Sequence, residues 1–355
     1  MKFVVNTLHA AHAAHQEIFR GRLVPAFETP ARAEGIAAAL RDAGWFDGGL
    51  QLPARDHGRA PLERVHAPAY LDFLEGAWGE WLASGGDAQA DAFPAVWPVR
   101  TLRDDVVPRN FVARLGLYSM DSGTPLTAGS WAAANGGAQA ALTGLAALRA
   151  GERAAYVLTR PPGHHAGADF FGGYCFVNHA AVAAQAALDA GARRVAILDV
   201  DYHHGNGTQA IFYARRDVFY ASLHGDPMTE YPFYLGHADE RGVGDGLGCN
   251  ANYPLPAGAS NDAWFAALAA ALERLRAYDP ELLVVSLGVD TYVGDPISHF
   301  RLDRPEYARL GMALAAFGRP TLFVQEGGYA TDAIGLNVLA VLRGFDGGGA
   351  AEAGA

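Results

Sequence analysis

The sequence predicts an α/β fold built on one doubly wound, mostly parallel sheet. Three observations carry this. From residue 154 onward, apolar runs of strand length alternate with segments of helix length, the pattern of βαβ units. The runs at 154–159, 195–198 and 282–287 are almost continuously apolar instead of alternating, as expected for strands covered on both faces. Each run also stops at a group of polar residues, and parallel sheets build their sites outside the carboxyl ends of the strands.

The elements follow in order. Lys2-Phe-Val-Val-Asn6 reads as a first strand. Residues 7–30 read as loop, with Gly21 and Pro25. They contain His9, His12 and His15, which would share a helix face at this spacing. No acid or cysteine joins them at ligand spacing, so a surface loop or subunit contact is the better reading than a metal site. Glu28-Thr29-Pro30 opens a helix to about Asp42, with Thr29 as its cap and Pro30 in its first turn.

Residues 68–84 are expected to be helical and 85–125 to form a long irregular stretch. Its Trp97, Asp104, Asp105, Phe111 and Asp121 mix aromatics and acids in a way that suits a substrate rim. An alanine-rich helix spans 130–150. Strands are then expected at 154–159, 194–199, 218–223, 282–287 and 320–325, and helices at 178–190, 261–277, 304–316 and 331–344.

No linker or internal repeat interrupts the 355 residues, so 1–346 is read as a single domain and 347–355 (GGGAAEAGA) as a disordered tail. The net charge of −11 disfavours a nucleic-acid partner and suits a cationic substrate. The two cysteines, Cys175 and Cys249, provide no disulfide framework, which fits a reducing cytoplasm. With no basic-then-apolar start and no apolar span of about 18 residues, a soluble cytoplasmic protein without a membrane partner is expected.

The chemistry centres on Ile197-Leu-Asp-Val-Asp-Tyr-His-His-Gly-Asn-Gly-Thr208. Side chains on a strand alternate, so Asp199, Asp201 and His203 are expected to point to one side. Carboxylates and an imidazole converging at a buried strand end are costly unless a cation binds there. The other strands end in Arg160-Pro-Pro-Gly-His-His165, Ser222-Leu-His-Gly-Asp226, Gly288-Val-Asp290 and Glu326-Gly-Gly-Tyr329. Asp201, His203 and Asp290 supply three ligands for a zinc ion with an open position, the arrangement of catalytic sites. His164 and His165 are candidates for proton transfer, and the Tyr329 hydroxyl is a candidate oxyanion donor.

These motifs carry a resemblance. RPPGHHAG, FGGYCFVNHAAVA, LDVDYHHGNGTQ, FYASLHGDP, VVSLGVDTY-GDPIS and EGGYA are similar to those of the zinc-dependent histone deacetylase and acetylpolyamine amidohydrolase family. GRLVPAFETPARAEGI resembles the N-terminal pattern of the bacterial amidohydrolase branch, so the likeness spans nearly the whole chain. It implies an arginase/deacetylase fold, with an eight-stranded, mostly parallel sheet flanked by helices. It also implies a zinc-dependent amidohydrolase that frees acetate from acetylated polyamines or diamines, such as acetylputrescine and acetylcadaverine, with acetyl-lysine as a further candidate substrate.

In that family zinc would sit on Asp201, His203 and Asp290, with His165 as base and acid and Tyr329 at the oxyanion. His164 paired with Asp199 would be the electrostatic partner, and Asn206 would replace an aspartate behind His165. A structural potassium ion would take Asp199, Ser222 and carbonyls of Asp201, His203 and Leu223. Tyr174 and Tyr231, with Gly173, would line the substrate channel.

Some relatives carry glutamates for a distal ammonium where Val112 and Gly123 stand here, and Ile297 occupies another such position, which favours short diamines. The resemblance further implies a homodimer whose N-terminal loops, here 7–25, narrow the mouth, and Glu17 is a candidate to meet the substrate ammonium. Two other readings compete. A manganese ureohydrolase of arginase type would need a second aspartate in the DxH cluster. A non-catalytic acetyl-lysine binder would be expected to lack His165 or Tyr329, and both are present.

Overall fold

The computed structural model describes residues 1–352. In chain order the strands are β1 (Lys2–Val5), β2 (Gln16–Phe19), β3 (Arg22–Pro25), β4 (Gln51–Leu52), β5 (Ala154–Leu158), β6 (Val195–Asp199), β7 (Val218–Gly225), β8 (Asn250–Leu255), β9 (Leu282–Leu287) and β10 (Thr321–Gln325). The helices are α1 (Pro30–Asp42), α2 (Ala60–Glu63), α3 (Pro68–Ala83), α4 (Phe111–Leu117), α5 (Ser130–Arg149), α6 (His179–Asp189), α7 (Asn206–Phe212), α8 (Asn261–Tyr278), α9 (Arg304–Ala315) and α10 (Ile334–Glu352).

Eight strands form one sheet in the order β4-β1-β5-β10-β9-β6-β7-β8, and every pairing within it is parallel. The single α/β domain with helices over both faces is the expected architecture. Alternation along each strand splits the core in two. Ala196 and Leu198 of β6 join Leu283, Val285 and Phe323 in the layer under α1, α8, α9 and α10. Val195 and Ile197 join Val157, Val284 and the alanines of α5 and α6 on the other face. Small residues suit that second face, because they let two helices lie close to the strands. A third apolar cluster, under α3 and α4, carries Tyr70, Phe73 and Phe111.

Helix ends follow local chemistry. Asn178 and Ser260 accept from the backbone N–H groups of Ala181 (2.9 Å) and Ala263 (3.2 Å), and Asp303 with Glu306 closes a capping box. Thr29 stands at the N-cap of α1 as expected, but its side chain makes no capping bond; Pro30 alone sets the helix start.

Other expectations are corrected. Residues 7–30 are not all loop, because they hold a short 3₁₀ turn (His9–Ala11) and the β2–β3 hairpin. The stretch 85–125 contains α4, and α7 and β8 fall where no element was expected. Helix α10 runs on past Asp346 to Glu352, and residues 353–355 of the expected tail lie outside the described residues. Among the described residues, no helix is long and apolar enough to cross a membrane.

Candidate active site

The strands β5, β10, β9, β6 and β7 are consecutive neighbours in the sheet, which is why their terminal motifs meet. Strand β6 stops at Asp199, so Asp201 and His203 lie in the turn beyond it and not on a continuing strand. One donor atom each from Asp201, His203 and Asp290 lies within 4.8 Å of the others. The Nδ1 of His203 is 3.1 Å from Asp290 Oδ2 and 3.4 Å from Asp201 Oδ1. The outward oxygens are fixed by backbone: Tyr202 N–H donates to Asp290 Oδ1 (2.8 Å) and Gly327 N–H to Asp201 Oδ2 (2.8 Å). Glycine is needed on both flanks. A Cβ on Gly288 would stand 2.2 Å from Asp201 Oδ2, and one on Gly327 2.7 Å from Asp290 Oδ2.

Charge is concentrated here. Burial and then the neighbouring Asp201 carboxylate push Asp290 up to about 8. His164 and His203 hold Asp201 well below the usual carboxylate range in spite of burial. His203 is itself raised to about 10, because its bonds to Asp201 and Asp290 outweigh desolvation. Two crowded carboxylates and an imidazole, all largely buried, are a donor set that a dication relieves. They fit a single transition-metal ion such as zinc with a position left open.

Asp199 does not join that set. Its Oδ2 accepts from His164 Nδ1 (3.0 Å) and from the Tyr220 hydroxyl (3.0 Å). Burial opposes a charge on His164, but the carboxylates of Asp201 and Asp199 outweigh it and raise the imidazole to about 10. His165 is the opposite case. Burial and the positive neighbours His164 and His203 press its pKa down. Its Nδ1 bonds Asn206 Oδ1 at 2.7 Å, so Nδ1 carries the proton and Nε2 is left as an acceptor. The carboxylates thus favour the charged form of His164, while burial and the cationic neighbours favour the neutral form of His165.

His165 opens onto a cavity of about 580 Å³ whose lining also includes His203, Asn206, Tyr329, Gly173, Tyr174, Tyr231 and Ile297, whereas His164, its ring 4.1 Å from that of His165, is not part of the lining. The Tyr174 and Tyr231 rings both line it, the former edge-on to Tyr329 at 5.5 Å and the latter edge-on to His165 at 5.0 Å. Tyr231 donates its hydroxyl to Asp121 Oδ2 (2.6 Å), which also accepts from Gly173 N–H (2.7 Å). Of the expected rim residues, Asp121 alone lines the cavity. Trp97 donates to Ser119 (2.9 Å), Phe111 is core, and exposed Asp105 pairs with Arg103 while Asp104 faces solvent. Val112 is exposed on α4 outside the lining, whereas Gly123 is part of it.

Glu17 is a correction. It is buried, accepting from the Tyr174 hydroxyl (2.6 Å) and Phe27 N–H (2.9 Å), so it faces the protein and not a substrate. The carbonyls of His9 and His12 both accept from Arg160 (2.5 and 2.7 Å), but the imidazoles of His12 and His15 point to different partners. His12 is buried against Thr127 and Ser130, and His15 is exposed beside Asp91. Asp199 and Ser222 are register partners on β6 and β7, and Ser222 Oγ bonds His224 Nδ1 (2.7 Å).

The loop that carries Tyr329 is held by residues that sequence reasoning did not single out. Arg32 donates to the carbonyls of Gly328 (2.5 Å) and Glu326 (2.6 Å) and lies 4.6 Å from the Tyr329 ring centre. Glu28 accepts from Arg32 (2.7 Å) and Arg160 (2.8 Å), both buried. Glu326 accepts from Gly163 N–H (2.6 Å) and His164 N–H (3.2 Å), seating the histidine pair. His164, Cys175 and Glu326 also lie close enough to one another to share an ion, but Glu326 is engaged by these backbone groups.

A parallel sheet in this order, with these groups at its carboxyl edge, defines the arginase/deacetylase class of α/β proteins. Residues 26–345 match the model of the histone deacetylase domain, and the chain belongs to the histone deacetylase family. It is 54% identical to acetylpolyamine amidohydrolase 1 of Pseudomonas aeruginosa, over 96% of this chain and 97% of that protein. It is 48% identical to the acetylpolyamine amidohydrolase of Mycoplana ramosa, over 98% and 100%. The crystal structure of acetylpolyamine aminohydrolase from Burkholderia pseudomallei superposes with a TM-score of 0.90 at 41% identity, covering 99% of each chain.

Proposed function

We propose that the chain is a zinc-dependent amidohydrolase that removes acetyl groups from N-acetylated polyamines and diamines, releasing acetate and the free amine. One observation carries the reading. The Asp201–His203–Asp290 donor set lies beside a single apolar-walled cavity that His165 and Tyr329 also line. A zinc ion held by those three donors would supply Lewis acidity toward the acetyl carbonyl and toward water.

The protein's own groups do the rest. Neutral His165 takes a proton from the attacking water at Nε2 and hands it to the leaving amine. Charged His164, held by Asp199, keeps the site cationic enough to favour the developing anion. Tyr329 donates its hydroxyl to the oxyanion, and burial raises its pKa so that it stays protonated. The Tyr174 and Tyr231 walls suit a slender methylene chain, which is why acetylputrescine and acetylcadaverine are the substrates of choice, with acetyl-lysine as a further candidate.

A potassium ion on Asp199, Ser222 and the carbonyls of Asp201, His203 and Leu223 would brace the β6 and β7 ends. A cytoplasmic homodimer fits the exposed Val96, Val99, Leu102, Val106 and Val107, apolar surface that a second copy would cover.

The test is acetate release from a panel of acetylputrescine, acetylcadaverine and acetyl-lysine, beside metal analysis and mass in solution. Tyr329→Phe should retain metal and lose about two to three orders of magnitude in kcat. No acetate from any member of the panel would end the proposal.

A further inference from the structure

Four consecutive residues of the loop bearing Tyr329 each have one backbone group gripped by a side chain from elsewhere. Arg32 takes the carbonyls of Glu326 and Gly328, and Asp201 takes the N–H of Gly327. The N–H of Tyr329 itself goes to Asp295 Oδ2 at 2.7 Å. The other oxygen of that carboxylate accepts the N–H of Ile297 at 3.1 Å. Asp295 is 8% exposed, and Ile297 and Tyr329 both line the cavity. A single buried carboxylate thus joins two segments of the cavity wall that are distant in the chain.

We propose that Asp295 is a positioning residue: its two oxygens clamp the Tyr329 and Ile297 N–H groups and so set where the Tyr329 hydroxyl stands over the reacting carbonyl. The inference rests on the reading of Tyr329 as the oxyanion donor. A carboxylate is the side chain the geometry calls for, since both partners are donors and an aspartate offers only acceptors. Burial pushes its carboxyl up to about 6, with the two N–H bonds working against that rise. Asparagine has the same shape but would turn an NH₂ donor toward one of the two N–H groups.

Asp295→Asn should therefore keep its bound metal and its fold while the loop shifts. A misplacement on the order of 1 Å costs about a hundredfold in rate, so kcat should fall about ten- to a hundredfold on acetylputrescine. Any change in KM would come through the Ile297 wall.

A double-mutant cycle with Tyr329→Phe decides the matter. If Asp295 acts through the Tyr329 hydroxyl, its substitution changes kcat by less than about twofold once that hydroxyl is gone, while the KM effect persists. The same loss of kcat in both backgrounds would overturn the proposal, as would an Asp295→Asn enzyme with unchanged kcat. Should that variant fail to fold, Asp295→Ser, which keeps one acceptor, carries the same cycle. If Tyr329→Phe alone left kcat unchanged, the fault would lie with the reading of Tyr329 and not with the clamp.

Discussion

Glu28→Gln tests the buried charge network that underlies the site. Glu28 places one oxygen on Arg32 (2.7 Å) and the other on Arg160 (2.8 Å), and all three side chains are at most 3% exposed. Glutamine keeps the shape but offers one acceptor and one donor, leaving two buried guanidinium groups without a counter-charge. Breaking a buried pair typically costs about 3–5 kcal/mol, and with two cations stranded the upper part of that range is expected. At about 2–4 °C per kcal/mol, Tm should drop by roughly 8–20 °C.

The pH dependence has a definite sign. Burial opposes ionisation, but Arg160 and Arg32 together hold the Glu28 carboxyl below its ordinary 4.5. Its stabilisation is therefore complete above pH 4.5 and is lost as pH falls through the lowered folded value. The glutamine does not titrate, so the stability gap between the two proteins should be flat from pH 7 to pH 5 and close below that. Urea melts followed by tryptophan fluorescence measure it. A gap under about 1 kcal/mol at pH 7, or one that widens on acidification, would refute the reasoning. Turnover should fall as well, because Arg32 holds the carbonyls of Glu326 and Gly328 that set the Tyr329 loop.

Further outcomes are expected. Asp290→Ala should purify folded but without metal and without activity; metal content equal to the parent would remove Asp290 from the ligand set. Asn206→Asp places a carboxylate where Asn206 Oδ1 now meets His165 at 2.7 Å. It should raise the His165 pKa and move the acidic limb of the rate profile up in pH, and an unmoved limb would mean that another group controls it. Arg20 lines the cavity mouth at the hairpin tip, exposed, with its guanidinium 5.2 Å from the Phe19 ring. Reversing one charge in a solvated mouth is worth about three- to tenfold per substrate charge. Arg20→Glu should thus raise kcat/KM for acetylspermidine more than for acetylputrescine, an advantage that added salt erodes; equal changes for both would show that Arg20 does not sense charge.

The strand-end motifs were readable in the sequence because a buried parallel strand announces itself by an apolar run and its site by whatever polar residues stop it. What was not readable depends on distance or on weak local signals. Glu28 and Arg160 are separated by more than a hundred residues, so nothing near either one marks the pair. Arg160, Glu326 and Asp295 each stood inside a motif, yet only contact shows that they seat the histidine pair and the Tyr329 loop. Strand β8 contains Pro254, tolerable because β8 is an edge strand, and α7 opens on Asn206-Gly207, residues that usually signal a turn. The β2–β3 hairpin turns through Arg20 and Gly21 at φ of 50° and 76°, and an asparagine in place of Arg20 would have advertised the turn.

Missing that hairpin misplaced Glu17, which an open loop would have left free to meet a substrate. Paired across strands with Val24, it is turned inward instead, and burial lifts its carboxyl to about 7 despite the bonds from Tyr174 and Phe27. Its consequence for function runs through the wall. By holding the Tyr174 hydroxyl, Glu17 fastens the hairpin to the channel, so that Ile18, Phe19, Arg20 and Gly21 form part of the cavity lining. The mouth is then lined by those tip residues and not by the carboxylate behind them.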